Sequence, residues 1–200
     1  MIQLFLIIIL VLSAVIHEYL HGWMAYRLGD PTAKNAGRLT LNPLKHLEWF
    51  GSVILPLVMV ISQMPFLFAW AKPVPYNPYN LRDKKYGEAK VAVAGAVGNL
   101  IIAITFGLLI RFFPGHNLAF QGFIGLIVFI NLILAVFNLM PIPPLDGSKV
   151  LATFLPAKLR VKYLSLERFG FLPVILFIML AGHLMIPIVN WLFILIVGFN

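Results

Sequence analysis

Apolar runs long enough to cross a bilayer leave this chain few ways to fold. Residues 2–28, 88–113, 119–140 and 171–199 are strongly apolar and nearly free of charge. About 20 such residues span the ~30 Å hydrocarbon core, and inside lipid only a helix satisfies every backbone group within a single segment. With 61% hydrophobic and 11% charged residues in 200, the expectation is a single integral-membrane domain over 1–200, its core at about 1–150 and a C-terminal membrane segment at about 169–199. The net charge of +8 does not point to nucleic acid, because no basic helix or basic–aromatic interleaving accompanies it. The lysines and arginines lie between the apolar runs, where they orient the chain in the bilayer. No Lys or Arg precedes Arg27, so residues 1–16 lack the positive start of a signal peptide and read as a retained first helix.

The first run is not purely apolar. It ends in Ile16-His17-Glu18-Tyr19-Leu20-His21-Gly22. On a helix His17 and His21 lie one turn apart on one face and can grip one metal ion, while Glu18 projects from the adjacent face toward a water beside it. This His-Glu-x-x-His spacing is a zinc-hydrolase signature. Two core histidines satisfied by backbone carbonyls are the plainer alternative. Three ionisable groups within a membrane helix are costly, however, and such groups are functional candidates by default. With no cysteine in the chain, a metal must be held by His and carboxylate.

Along the chain, Gly29-Asp30-Pro31 ends the first helix, and Arg38 to Asn42 alternates polar with Leu39 and Leu41 in a short strand pattern closed by Pro43. A second apolar segment, residues 51–69, is interrupted by Pro56 and Pro65, and a proline-stiffened loop runs from Trp70 to Pro78. Residues 171–199 carry Gly182 and Pro187, which fits one kinked span or two short helices. If residues 51–69 do not cross, 14 of the 15 Lys and Arg fall on one side and Arg111 alone on the other. The positive-inside rule then puts the basic side in the cytoplasm, the N-terminus outside, and residues 51–69 in a re-entrant or interfacial hairpin.

A catalytic zinc takes three protein ligands and one open position. Asp30, Glu48, Asp83, Glu88 and Glu167 lie in or beside basic loops and read as solvated. Asp146 follows an apolar helix broken by Pro141, Pro143 and Pro144, a backbone that must sit in protein or water rather than lipid. The non-crossing topology brings it to the same half of the bilayer as His17 and His21. At about 1.5 Å per residue His17 lies about 15 Å below Arg27, and Asn99 about 13 Å from Lys90, so Asn99 shares that depth. The small residues of Gly95-Ala96-Val97-Gly98 before it allow close helix approach.

Taken together, His17-Glu18-x-x-His21, the pair Gly95 and Asn99, and Asn138-Leu139-Met140-Pro141-Ile142-Pro143-Pro144-Leu145-Asp146-Gly147 resemble the signature motifs of the site-2 protease family of intramembrane zinc metalloproteases. The chain is similar to the compact prokaryotic branch without PDZ or CBS domains. The resemblance implies Zn²⁺ held by His17, His21 and Asp146, with Glu18 as general acid and base. It also implies Asn138 as a candidate for stabilising the oxyanion and Asn99 as a residue that positions substrate or site. The expected fold is all-α and polytopic: a three-helix catalytic core, a short β-strand loop, the hairpin and the C-terminal membrane segment.

The expected function is hydrolysis of peptide bonds in or near the transmembrane segments of membrane-protein substrates, in the cytoplasmic half of a prokaryotic cell membrane. A helical substrate must unwind to expose its peptide bonds, and the strand around Arg38, Leu39 and Thr40 is a candidate to pair with it by edge addition. Two alternatives are a metal transporter, which would need a polar path continuing outward, and a silent client-binding protein, which would lack Glu18 or a ligand. The outer halves of the helices are apolar, and the ligands and Glu18 are all present.

Overall fold

A computed structural model describes residues 2–63, 71–113 and 117–198. Four helical stretches are long and apolar enough to cross a membrane: α1 (Ile2–Arg27), α4 (Gly87–Phe112), α5 (Leu118–Asn138) and the pair α8 (Leu172–Ala181) and α9 (Met185–Val197). The last two are joined through a 3₁₀ turn at Gly182–Leu184, and together residues 172–197 are long and apolar enough for one span.

Helix α1 stops where its sequence requires. Gly29 adopts φ +104°, Gly29 N–H donates to Tyr26 O and Asp30 N–H to Ala25 O, which is a Schellman closure with glycine at the left-handed position. Beyond it lie the short α2 (Thr32–Asn35) and a 3₁₀ turn at Pro43–Lys45. A π-helical stretch at Trp49–Ile54 runs into α3 (Leu55–Ile61). Glu48 caps it, accepting from Phe50 N–H and Gly51 N–H. At 1.5 Å per residue Trp49–Ile61 is about 20 Å long, short of the ~30 Å core. The chain also returns to the side it left, because Arg82 N–H donates to Leu28 O at 2.8 Å just before α4 begins. The excursion between α1 and α4 therefore begins and ends at neighbouring points. Pro65, one of the two expected bends, and His116 lie outside the described residues.

The strand expected at 37–42 does not form: among the described residues there is no β-ladder. Leu41 is exposed, so the alternation buries no face. The backbone is instead held locally. His46 Nε2 donates to Thr40 O at 2.7 Å, Asn42 N–H donates to Thr40 Oγ1, and the Arg38 guanidinium reaches Lys72 O at 2.8 Å.

Helices α4, α5 and α9 pack around Ala103, Ile110, Val128, Leu132 and Val189. Small residues set the spacing: a Cβ on Gly107 would stand 2.4 Å from Ile196 Cγ2, and one on Gly98 would stand 2.0 Å from Leu20 Cδ1. After α5 the proline-rich turn leads into α6 (Asp146–Phe154) and α7 (Ala157–Leu164). Ion pairs tie this region back, Lys149 to Glu167 and Arg160 to Glu88.

Candidate metal centre

Helix α1 presents both imidazoles on one face, with ring centroids 4.5 Å apart. Each ring is fixed through Nδ1. His17 Nδ1 lies 2.7 Å from Asn99 Oδ1, and His21 Nδ1 lies 2.7 Å from Val91 O, both acceptors on α4. Because an amide oxygen and a peptide carbonyl only accept, Nδ1 carries the proton in each ring and neutral Nε2 keeps a lone pair. Both Nε2 atoms face Asp146 Oδ2, at 3.0 and 3.1 Å.

Asp146 is delivered from the far end of α5. A Cβ on Gly147 would fall 2.1 Å from Leu139 O, so only glycine lets α6 begin so close to the preceding turn. The three donor atoms lie within 4.8 Å of one another. Two nitrogen lone pairs and a carboxylate converging on one point repel each other unless a cation lies between them. The donor chemistry, the donor number and the hydrogen bonds that fix both tautomers suit zinc.

Gly95 makes the approach possible. A Cβ there would stand 2.6 Å from His17 Cε1 and 2.7 Å from both His17 Nε2 and His21 Cε1. Asn99 is fully buried and is itself oriented, since its Nδ2 donates to Asn131 Oδ1 at 2.9 Å. Asn131 Nδ2 in turn donates to Ile127 O. This polar chain links α1, α4 and α5 at the depth of the histidines.

Beside the cluster is a cavity of about 470 Å³ whose lining includes Glu18, Asn138, Lys149, Tyr76 and Phe171 as well as the three donors. Glu18 Oε2 accepts from Val74 N–H at 2.8 Å. Asn138 Nδ2 donates to Leu134 O, one turn back on its own helix, and its amide has a second proton to give.

The structure thus brings together His17, Glu18, His21, Asn138, Asp146, Asn99 and Gly95. Arg38, Leu39 and Thr40 do not line the cavity; Arg38 braces the loop that does, through Lys72 O. Asp30, expected to be solvated, is fully buried. It accepts from Thr32 N–H and Oγ1–H, Asn77 N–H and Asn80 Nδ2–H. Three contributors escaped the sequence reading: Asn131, the Val91 carbonyl and the Val74 amide. Asn131 had a signal, a polar side chain inside an otherwise apolar span. The other two are backbone groups and have none.

A profile of peptidase family M50 matches residues 114–182, the part that contains Asn138 and Asp146. YwhC of Bacillus subtilis is 36% identical over 196 residues, 93% of this chain and 86% of that protein. Rip2 of Mycolicibacterium smegmatis is 30% identical over 191 residues, 94% of this chain and 70% of the relative. MJ0611 of Methanocaldococcus jannaschii is 31% identical over 138 residues, 68% of this chain and 63% of the relative. All three carry zinc metalloprotease names. No solved structure matches. Relatives similar along nearly the whole chain and four helices fit for a bilayer lead to one conclusion: the chain belongs to peptidase family M50, the site-2 proteases, and is an integral-membrane zinc metalloprotease.

Proposed function

We propose that this protein hydrolyses peptide bonds in or near the transmembrane segments of membrane-protein substrates, with His17, His21 and Asp146 as the zinc ligands and Glu18 as the general acid and base. The observation that carries the reading is the convergence of the three donor atoms within 4.8 Å beside a cavity that Glu18 also lines. When bound, zinc supplies Lewis-acid chemistry, activating water and polarising a carbonyl oxygen.

The chain's own residues supply the rest. Glu18 takes the proton of the attacking water and returns it to the departing amine. Asn138 turns its second amide proton toward the oxygen on which charge develops. Asn99 and the Val91 carbonyl keep the histidines in the tautomer that leaves Nε2 able to ligate. The site lies in the cytoplasmic half of a prokaryotic cell membrane with the N-terminus outside, a reading supported by 14 of 15 basic residues falling on the other side from Arg111. The whole chain acts as one unit, residues 1–150 carrying the motifs.

Purified protein and its Glu18→Gln variant, incubated with a panel of single-span peptides, test the reaction. Cleavage by the first alone supports it, and turnover by the variant refutes the role of Glu18. Labelling of Lys84→Cys from the external face of intact cells would overturn the orientation.

A further inference from the structure

The geometry points to a second element of the catalytic apparatus: we infer that residues 72–77 form a fixed strap whose Val74 amide aims the Glu18 carboxylate, making Val74 a positioning residue. This rests on the reading of Glu18 as the general base.

The composition of the strap, Lys72-Pro73-Val74-Pro75-Tyr76-Asn77, suits one task. Prolines at 73 and 75 hold φ and remove their own donors, and each disfavours helix at the residue before it. Between Lys72 and Tyr76 the strap therefore owns one N–H, that of Val74. A segment so short of donors is poorly suited to β-pairing with a substrate. Its single N–H is spent on Glu18 Oε2, at 2.8 Å.

Both ends of the strap are pinned. At the start, Lys72 N–H donates to His46 O at 2.8 Å, while the Arg38 guanidinium donates to Lys72 O. At the end, Asn77 N–H donates to the buried Asp30 carboxylate at 2.6 Å, and Asp30 is itself held by Thr32 and Asn80. In the middle, Val74 is buried against Gly22. A Cβ on Gly22 would stand 2.8 Å from Val74 Cγ1, so the glycine one residue beyond His21 provides the notch in which the strap sits. The bond to Glu18 thus comes from a backbone fixed at three points, and it engages one carboxylate oxygen in a residue that also lines the cavity. A glutamate has three rotatable side-chain bonds, and a carboxylate held in one pose avoids the orientational loss that a free one suffers.

The test uses the full chain with zinc bound. Val74→Pro deletes the donor, and Val74→Ala keeps it while trimming the side chain. The expected result for Val74→Pro is a kcat at least about tenfold lower, with KM on a single-span peptide within about threefold and zinc content retained. Val74→Ala keeps a kcat at least about fivefold above that of Val74→Pro. A second readout needs neither turnover nor a folded Val74→Pro: hydrogen–deuterium exchange at the Val74 amide, expected to speed up at least about tenfold in Glu18→Ala. An unchanged kcat in Val74→Pro, an equal fall in Val74→Ala, or unaltered exchange at Val74 would each overturn the inference. Full turnover by Val74→Pro beside an inactive Glu18→Gln defeats the strap alone, whereas turnover by Glu18→Gln defeats the assignment of the base.

Discussion

Gly95→Ala adds one carbon where two imidazoles already stand. Its Cβ would lie 2.6 Å from His17 Cε1 and 2.7 Å from His21 Cε1, against the roughly 3.5–4.0 Å at which carbon atoms rest in contact. The overlap is therefore about 1 Å on each ring. Neither ring can simply swing aside, because His17 is tied to Asn99 and His21 to Val91 through bonds of 2.7 Å. Relief must come from displacing α4 from α1 or from breaking those bonds. Overpacking of this kind costs about 1–3 kcal/mol in a well-packed interior. The metal site is less forgiving than the fold, since ligand distances must hold to about 0.2 Å and loss of an orienting partner alone weakens binding about 10–100-fold. The expectation is a protein that still inserts and folds but binds zinc at least about 100-fold more weakly and cleaves no model substrate at limiting metal. Competition with a fluorescent chelator, alongside elemental analysis, measures the affinity. Gly122→Ala is the control, because a Cβ there meets nothing within 4 Å. Wild-type zinc affinity and turnover in Gly95→Ala would refute the close-approach argument.

Asn99→Ala should lower zinc affinity about 10–100-fold by releasing His17 Nδ1, with a smaller effect from Asn131→Leu, which acts one bond further out; metal competition ranks the two. Stripping zinc with a chelator should abolish cleavage and lower the unfolding temperature in detergent, both restored by adding zinc back, since an ion that binds only the folded state stabilises it. Asp30 sets an acid limit. Burial pushes its carboxyl up, but hydrogen bonds from Thr32, Asn77 and Asn80 outweigh this and hold it below its ordinary value. Its stabilisation is therefore present above the unfolded pKa of about 3.9 and is lost as pH falls through the lower folded value. Thermal unfolding from about pH 5 down to about pH 2 should show this acid loss in wild type and a smaller one in Asp30→Asn.

The legible part of this fold was the part written in side chains at a fixed period. His17 and His21 at four-residue spacing, Gly95 and Asn99 on the facing helix, and Asp146 behind its prolines each carry a local signal. The strand around Thr40 misled because alternation gives a pattern but no partner. With Thr40 O taken by His46, the segment settles as an irregular turn. Asp30 misled in the opposite direction: a carboxylate beside basic residues reads as solvated until the distant Asn77 and Asn80 fold over it. The Val74 amide was illegible for a simpler reason, since every non-proline residue has an N–H and only the fold decides where it points.

The stretch beyond residue 150, which carries no motif, still reaches the cavity. Phe171 lines the cavity, and the pairs Lys149–Glu167 and Arg160–Glu88 tie the intervening segment to α6 and α4. A hydrolase working at membrane depth must keep acyl chains out as firmly as it lets water in. A chain cut after α6 would retain each candidate ligand yet lose Phe171 from the chamber lining, a reason for a tail with no chemistry of its own to matter to the reaction.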